Sequence, residues 1–64
     1  MNGERYVVGA SMEGDAVTRI YVLDEGTFGR EVAEFEGPTA IADAARYARA
    51  KNEEWARIVE ELPF

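Results

Sequence analysis

The segment at residues 31–48, which reads EVAEFEGPTAIADAARYA, decides the fold. Up to Glu36 it reads as a strand in which Ala33 and Phe35 lie on one face, and the other face carries Val32, Glu34 and Glu36. The Gly-Pro-Thr tripeptide at 37–39 then ends the strand, since proline cannot donate to a β ladder and threonine is a good helix N-cap. From Ala40 onward apolar residues recur every three or four positions, which predicts an amphipathic helix.

Two more strands precede this segment. Residues 5–12 and 17–23 alternate in the same way, and the second is rich in β-branched and aromatic residues. Because the connections between strands are short, we expect antiparallel neighbours in the order 1-2-3. The predicted fold is α+β: a three-stranded antiparallel meander at about 5–12, 17–23 and 31–36, packed by a C-terminal helix at about 39–62, in a single domain.

One face of this sheet is expected under the helix and the other open to solvent. In the second strand Ile20 and Val22 share the face that the helix covers, and Tyr21 lies on the open face. The open face is predicted to have an apolar centre within a charged rim, as contact patches do. The centre comprises Val7, Tyr21 and Val32 with Val17 or Leu23, and the rim comprises Arg5, Arg19, Glu34 and Glu36.

The predicted helix is longer than the strands it packs against. A helix over 40–62 is about 34 Å long, whereas strands of six or seven residues span about 20–23 Å. Its last turns therefore either overhang the sheet in one continuous helix or fold back after a break at Asn52, which interrupts the apolar stripe. Trp55 then lies in the core or on an exposed overhang, and Pro63 ends the helix. The buried stripe is predicted to comprise Ile41, Ala44, Ala45, Ala48, Asn52, Trp55, Val59 and Leu62, with the i,i+4 ion pairs Arg49–Glu53 and Glu53–Arg57 opposite.

Composition excludes several classes of function. The chain has 64 residues with thirteen acidic and seven basic side chains, no cysteine and no histidine. Disulfides, thiolate metal sites, the commonest zinc ligand and the commonest general base are therefore missing. We expect no enzymatic activity, no cofactor and no metal. The net charge of −6 also argues against direct nucleic-acid binding, because that affinity comes mainly from Lys and Arg on phosphates.

No apolar run approaches the ~20 residues of a membrane-spanning helix. The first five residues lack the apolar stretch of a signal peptide. Together with the missing cysteines, this favours a cytoplasmic protein without membrane contact.

The acidic residues concentrate in the first half, where residues 1–37 carry eight acids against three arginines. The turn acids lack the spacing of a calcium loop and are typical of solvated turns. Such a surface attracts a basic partner. Our first functional hypothesis is a non-enzymatic binding module that occupies a basic surface of another protein. Its candidate binding residues are Glu13, Asp15, Arg19, Tyr21, Asp24, Glu25, Glu34 and Glu36.

Residues 32–40, running into residues 43–52, resemble the tail of many small phage and prophage proteins, in which a strand and a short turn lead into an Ala-rich helix that ends near an Asn. Some acidic proteins of this kind are anti-CRISPR or other anti-defence inhibitors. The resemblance implies an inhibitor in the host cytoplasm that binds a host complex and blocks its nucleic-acid site. It transfers no binding residue, because such inhibitors share little sequence.

The alternative hypothesis is a homodimeric structural or assembly module. In that case the open sheet face or the section from Trp55 to Leu62 pairs with a second copy. Dimerisation would compensate for the thin core of so short a chain.

Overall fold

The computed structural model describes residues 4–62 and confirms the α+β architecture. A three-stranded antiparallel sheet in the order β1-β2-β3 precedes one C-terminal helix. A short 3-10 turn, Glu25–Thr27, joins the second strand to the third. The elements are β1 (Tyr6–Glu13), β2 (Ala16–Asp24), β3 (Arg30–Phe35) and α1 (Ala40–Glu61).

The core lies between the middle strand and the first half of α1. Ile20 and Val22 are buried there, and Val22 is fully enclosed. They meet the helix at three alanines, whose small side chains let the helix lie close to the sheet. The predicted assignment of faces is therefore confirmed. The alanines are Ala40, Ala44 and Ala48, and the core is bordered by half-buried Tyr6, Ala33, Phe35 and Tyr47.

Helix α1 is continuous through Asn52, so the alternative with a break there is wrong. The Asn52 side chain is not used as a helix cap. Its Oδ1 accepts hydrogen bonds from the backbone N–H groups of Arg5 and Tyr6, both at 2.8 Å, and its Nδ2 donates to the Tyr6 carbonyl at 2.9 Å. Asn52 thereby completes the backbone hydrogen bonding at the start of β1 and fastens that strand to the helix.

The helix crosses the sheet diagonally. It begins in the core beside β2 and β3 at Ala40 and reaches the start of β1 at Asn52. Its last turns run past the sheet, where Ile58 and Val59 stay 47% and 44% exposed. The helix covers β1 only near Tyr6, so Val8 and Met12 are exposed on the helix side.

Several details of the predicted helix are wrong. Of the predicted buried stripe, Ala45, Val59 and Leu62 are exposed. Ile41 is 63% exposed, because Ala40 takes the first core position instead. Thr39 occupies the N-cap, but its hydroxyl donates to the Asp43 carboxylate at 2.9 Å and caps no backbone N–H. The i,i+4 pairs predicted along the outer face are not among the ion pairs of the described residues. The helix ends at Glu61, and Pro63 lies outside the described residues.

Two β-bulges alter which side chains share a face. Ser11 pairs with Arg19 but Met12 pairs with Val17, so Thr18 is an extra residue in β2. Directly paired residues lie on the same face of a sheet. The expectation that Val17 lies on the open face is therefore wrong, because the bulge carries it to the side of Met12.

The second bulge lies in β3. Val22 pairs with Ala33 and Leu23 pairs with Glu31, which leaves Val32 as the extra residue. This shift brings Glu31 onto the same face as Glu34, although strict alternation separates them. Val32 therefore lies in a bulge on the outer strand and not at the centre of the open face.

Candidate protein-binding surface

The open face of the sheet is a small grid of cross-strand neighbours. Gly9 pairs with Tyr21, which pairs with Glu34 on the far side. Tyr21 is therefore at the centre, as predicted. The neighbouring rows are Val7–Leu23–Glu31 and Ser11–Arg19.

Tyr21 is packed against the sheet and half-buried. Its ring lies over Gly9, where an added Cβ would be only 2.5 Å from the ring atom Cε1. The guanidinium of Arg19 covers the ring at 5.1 Å from its centroid, within the range of a cation–π contact. The predicted anchor residue is therefore largely engaged inside the molecule.

Arg19 joins two carboxylates of β3. Its Nη2 lies 2.7 Å from Glu31 Oε2, and its Nε lies 3.0 Å from Glu34 Oε2. The hydrogen bonds that Arg19 donates to Glu34 and Glu31 raise the pKa of Arg19, and the bond that it donates to Glu34 lowers the pKa of Glu34. The three groups together carry a single negative charge, held in a fixed geometry on the open face.

The eight candidate binding residues do not form one cluster. Arg19, Tyr21 and Glu34 share the open face, whereas Glu13 and Asp15 lie at the tip of the β1–β2 hairpin. An eight-residue strand separates that tip from the opposite end of the sheet by about 25 Å. At the opposite end lie Asp24 and Glu25, and Glu36 follows the end of β3.

Asp24 is a structural carboxylate. It is only 6% exposed, and its oxygens accept hydrogen bonds from Arg5 Nε at 2.6 Å, Arg5 Nη2 at 3.0 Å and the Gly26 N–H at 2.9 Å. The hydrogen bond from Arg5 is the main cause that lowers the pKa of Asp24, although burial opposes it. With every oxygen engaged inside the turn, Asp24 offers little to a partner.

Arg5 does not belong to the rim of the open face, so that expectation is wrong. Arg5 precedes β1, so the alternation of faces along the strand does not extend to it. Its guanidinium binds Asp24 at the end of the sheet. There it lies 4.5 Å from the centroid of the Trp55 ring. Trp55 is half-buried beneath it and does not belong to the core cluster.

Phe28 is the residue that sequence reasoning missed. Its side chain is fully exposed, with a relative exposure of 104%, and its backbone is left-handed at φ 62° and ψ 35°. A bulky residue in this conformation is uncommon, because its Cβ crowds the neighbouring carbonyl. The sequence offered one signal of its exposure: Phe28 is an aromatic residue in a turn, between Thr27 and Gly29, and belongs to no alternating strand pattern.

The turn that carries Phe28 is well fastened. The Thr27 hydroxyl donates to the Asp24 carbonyl at 3.2 Å, and the Gly29 N–H donates to the same carbonyl at 3.1 Å. The Glu25 N–H donates to the Arg5 carbonyl at 2.8 Å. Phe28 is therefore presented to solvent by a rigid support, with Glu25 and Arg30 exposed on either side in the chain.

Within residues 4–62, no three Asp, Glu, His or Cys side chains are grouped so that they could hold a metal ion. Two indentations in the described part of the chain are open grooves of about 610 Å³ and about 500 Å³. The first lies at the start of the helix between β2 and β3, and the second lies between β1 and the helix.

Comparison with known proteins finds no family model, no curated protein and no solved structure that matches the chain. Over the described part of the chain, no helix combines the length and the hydrophobicity that crossing a membrane requires.

Proposed function

We propose that this chain is a non-enzymatic binding module that docks on a basic surface of a partner protein, with Phe28 as its apolar anchor. The observation that carries the proposal is the complete exposure of an aromatic side chain in a left-handed backbone conformation. The fold gains nothing from such a residue, because Phe28 buries no area and its conformation is unfavourable. Aromatic residues of this kind supply the dominant contacts in protein interfaces.

The charges near the anchor favour a basic partner. Glu25, in the same turn as Phe28, is exposed and makes no ion pair with a described residue. Glu36 is also exposed and unpaired within the described residues, but it lies at the other end of β3. Among the bases of the described sheet, Arg5 and Arg19 are already engaged by carboxylates, which leaves Arg30. The sheet therefore presents a net negative field that accelerates association with a positively charged surface.

Basic grooves on proteins commonly hold nucleic acid, so occupation by this module would displace the nucleic acid. The resemblance to small acidic phage proteins points to the same kind of inhibition. In this mechanism Phe28 enters an apolar depression of the partner while carboxylates replace the phosphates that its Lys and Arg side chains otherwise contact.

The test is a capture from cell lysate by the immobilised chain, followed by a competition assay on the captured protein with a labelled DNA or RNA duplex. We expect the chain to displace the duplex and its affinity to fall as salt rises. Capture of a protein whose binding is unchanged by salt, or that keeps its nucleic acid, would contradict the proposal.

A matched pair of charge reversals locates the surface. Glu25→Lys, beside Phe28, is expected to weaken binding to the captured protein about tenfold, through the loss of a favourable charge and the gain of a repulsive one. Glu60→Lys, at the exposed end of the helix, makes the same change in net charge and is expected to have a much smaller effect. Equal losses would show that only total charge matters.

A further inference from the structure

The two outer edges of the sheet differ in how they are protected. β3 is short, bulged at Val32 and charged at Arg30, Glu31 and Glu34, which are the usual means of preventing another strand from pairing. β1 is longer, and from Tyr6 to Met12 it carries no charged side chain and no proline. An edge of the second kind is typical of a strand that pairs with another chain.

The free backbone groups on β1 can be identified. Tyr6 directs both its N–H and its C=O at Asn52, away from β2. Alternate residues of a strand point these groups to the same side, so Val8, Ala10 and Met12 direct theirs to the same outer edge. Within the described residues, this edge of β1 has no neighbouring strand. Asn52 closes the edge at Tyr6 and leaves the other three residues available.

We propose that a second copy of this chain pairs antiparallel with β1 along this edge. The register that uses all three residues places Ala10 opposite the partner's Ala10 on the two-fold axis, and Val8 opposite the partner's Met12. It forms about six backbone hydrogen bonds and joins the two sheets into one of six strands. This inference is independent of the proposed function, since Phe28 lies on the turn between β2 and β3.

The apolar side chains left bare by the diagonal helix are covered in this dimer. Val8 and Met12 are 41% and 57% exposed on the helix side, beside the groove of about 500 Å³ between β1 and α1. Because directly paired residues share a face, the partner's Met12 projects beside Val8 into this groove. The groove wall offers Tyr6, Ala45 and Ala48, which suit an unbranched thioether side chain.

One specific charge contact fits the same arrangement. The hairpin tip of β1 and β2 carries Glu13 and Asp15 and no base. In the proposed register the partner's tip lies across from Tyr6, next to the part of the helix that carries Arg49. Arg49 lines the groove together with Glu4 and Glu53, and its guanidinium makes no ion pair with a described residue, so Arg49 is the base in this groove that the partner's acidic tip can contact. The two-fold axis repeats this contact, so each copy supplies one acidic tip and one arginine.

The test is the association state of the purified chain by sedimentation, with two valine variants at opposite edges. We expect a dimer at about 100 μM, and at least a tenfold rise in the dissociation constant for Val8→Lys. Val32→Lys is the matched control, since Val32 is 38% exposed on the β3 edge, and it is expected to remain dimeric. A monomeric wild-type chain, or equal effects of the two variants, would overturn the proposal.

A charge-swap experiment tests the register even if Val8→Lys folds poorly. Two variants are each expected to dissociate, because like charges then face each other at both contacts. One is Arg49→Glu, and the other is the double variant Glu13→Lys, Asp15→Lys. An equal mixture of the two variants restores attraction at both contacts and is expected to form a heterodimer. Failure of the mixture to associate would exclude this register. Phe28→Gly is expected to leave the dimer intact, which separates this proposal from the proposed function.

Discussion

The two turns at opposite ends of β2 are built in opposite ways. The turn after Asp24 is fastened by a buried carboxylate, by an arginine that donates two hydrogen bonds to it and by two backbone–backbone hydrogen bonds, and it exposes the whole side chain of Phe28. The hairpin turn at Gly14 is a short connection whose flanking acids, Glu13 and Asp15, are exposed and make no ion pair with a described residue. The first turn is therefore stabilised by its own side-chain contacts, whereas within residues 4–62 the second turn has no comparable ion pair.

The largest expected effect comes from removing the carboxylate of the fastened turn. Asp24→Ala breaks the ion pair with Arg5, leaves the Gly26 N–H without its acceptor and frees the guanidinium above Trp55. We expect a larger fall in Tm than for Asn52→Ala or Asp15→Ala, measured by circular dichroism. Asp15→Ala in the other turn is the control, with an expected change of less than about 0.5 kcal/mol in the free energy of unfolding. Equal effects at the two turns would remove the distinction between them.

The same contrast predicts a dependence on pH. Arg5 holds the pKa of Asp24 below its usual range in the folded protein. The stability from this pair is therefore fully present above the unfolded carboxyl pKa of about 4, and it is lost as the pH falls through the lower folded value. We expect the Tm of the wild-type chain to fall more steeply below about pH 4 than that of Asp24→Ala. Parallel curves would show that the ion pair contributes nothing.

A smaller loss of stability is expected when the side chain of Asn52, which fastens α1 to the start of β1, is removed. Asn52→Ala leaves the two N–H groups and the carbonyl at the start of β1 without their partner. We expect a loss of about 1–3 kcal/mol in the free energy of unfolding, measured by chemical denaturation. Amide hydrogen exchange at Tyr6 should accelerate more than at Tyr21 in mid-sheet. Uniform acceleration would show that Asn52 does not act locally.

Much of the fold could be predicted because its signals are local. The alternation of Ile20, Tyr21 and Val22 assigned the two faces, and the Gly-Pro-Thr tripeptide located the change from strand to helix. The bulges at Thr18 and Val32 could not be predicted, since neither carries a glycine or another local signal. They moved Val17 and Glu31 to faces that strict alternation forbids.

The candidate site was harder to predict because it depends on contacts between distant residues. Asn52 was recognised as an interruption of the apolar stripe, but its backbone partners lie 46 and 47 positions away. From the sequence, Asp24 is predicted to be an exposed acid in a turn. Its burial follows from the ion pair with Arg5, a residue 19 positions away. Phe28 was overlooked because exposure and a left-handed backbone are properties of the turn and not of the residue type.

The most direct measurement compares the stability and the binding of Phe28→Gly with those of the wild-type chain. Glycine adopts the left-handed conformation without penalty, so we expect the free energy of unfolding to rise by about 0.5–1 kcal/mol. Because the aromatic anchor is removed, the same variant is expected to retain less than about a tenth of the partner that the wild-type chain captures. A variant that is less stable, or that captures the partner as well as the wild-type chain does, would contradict the role assigned to Phe28.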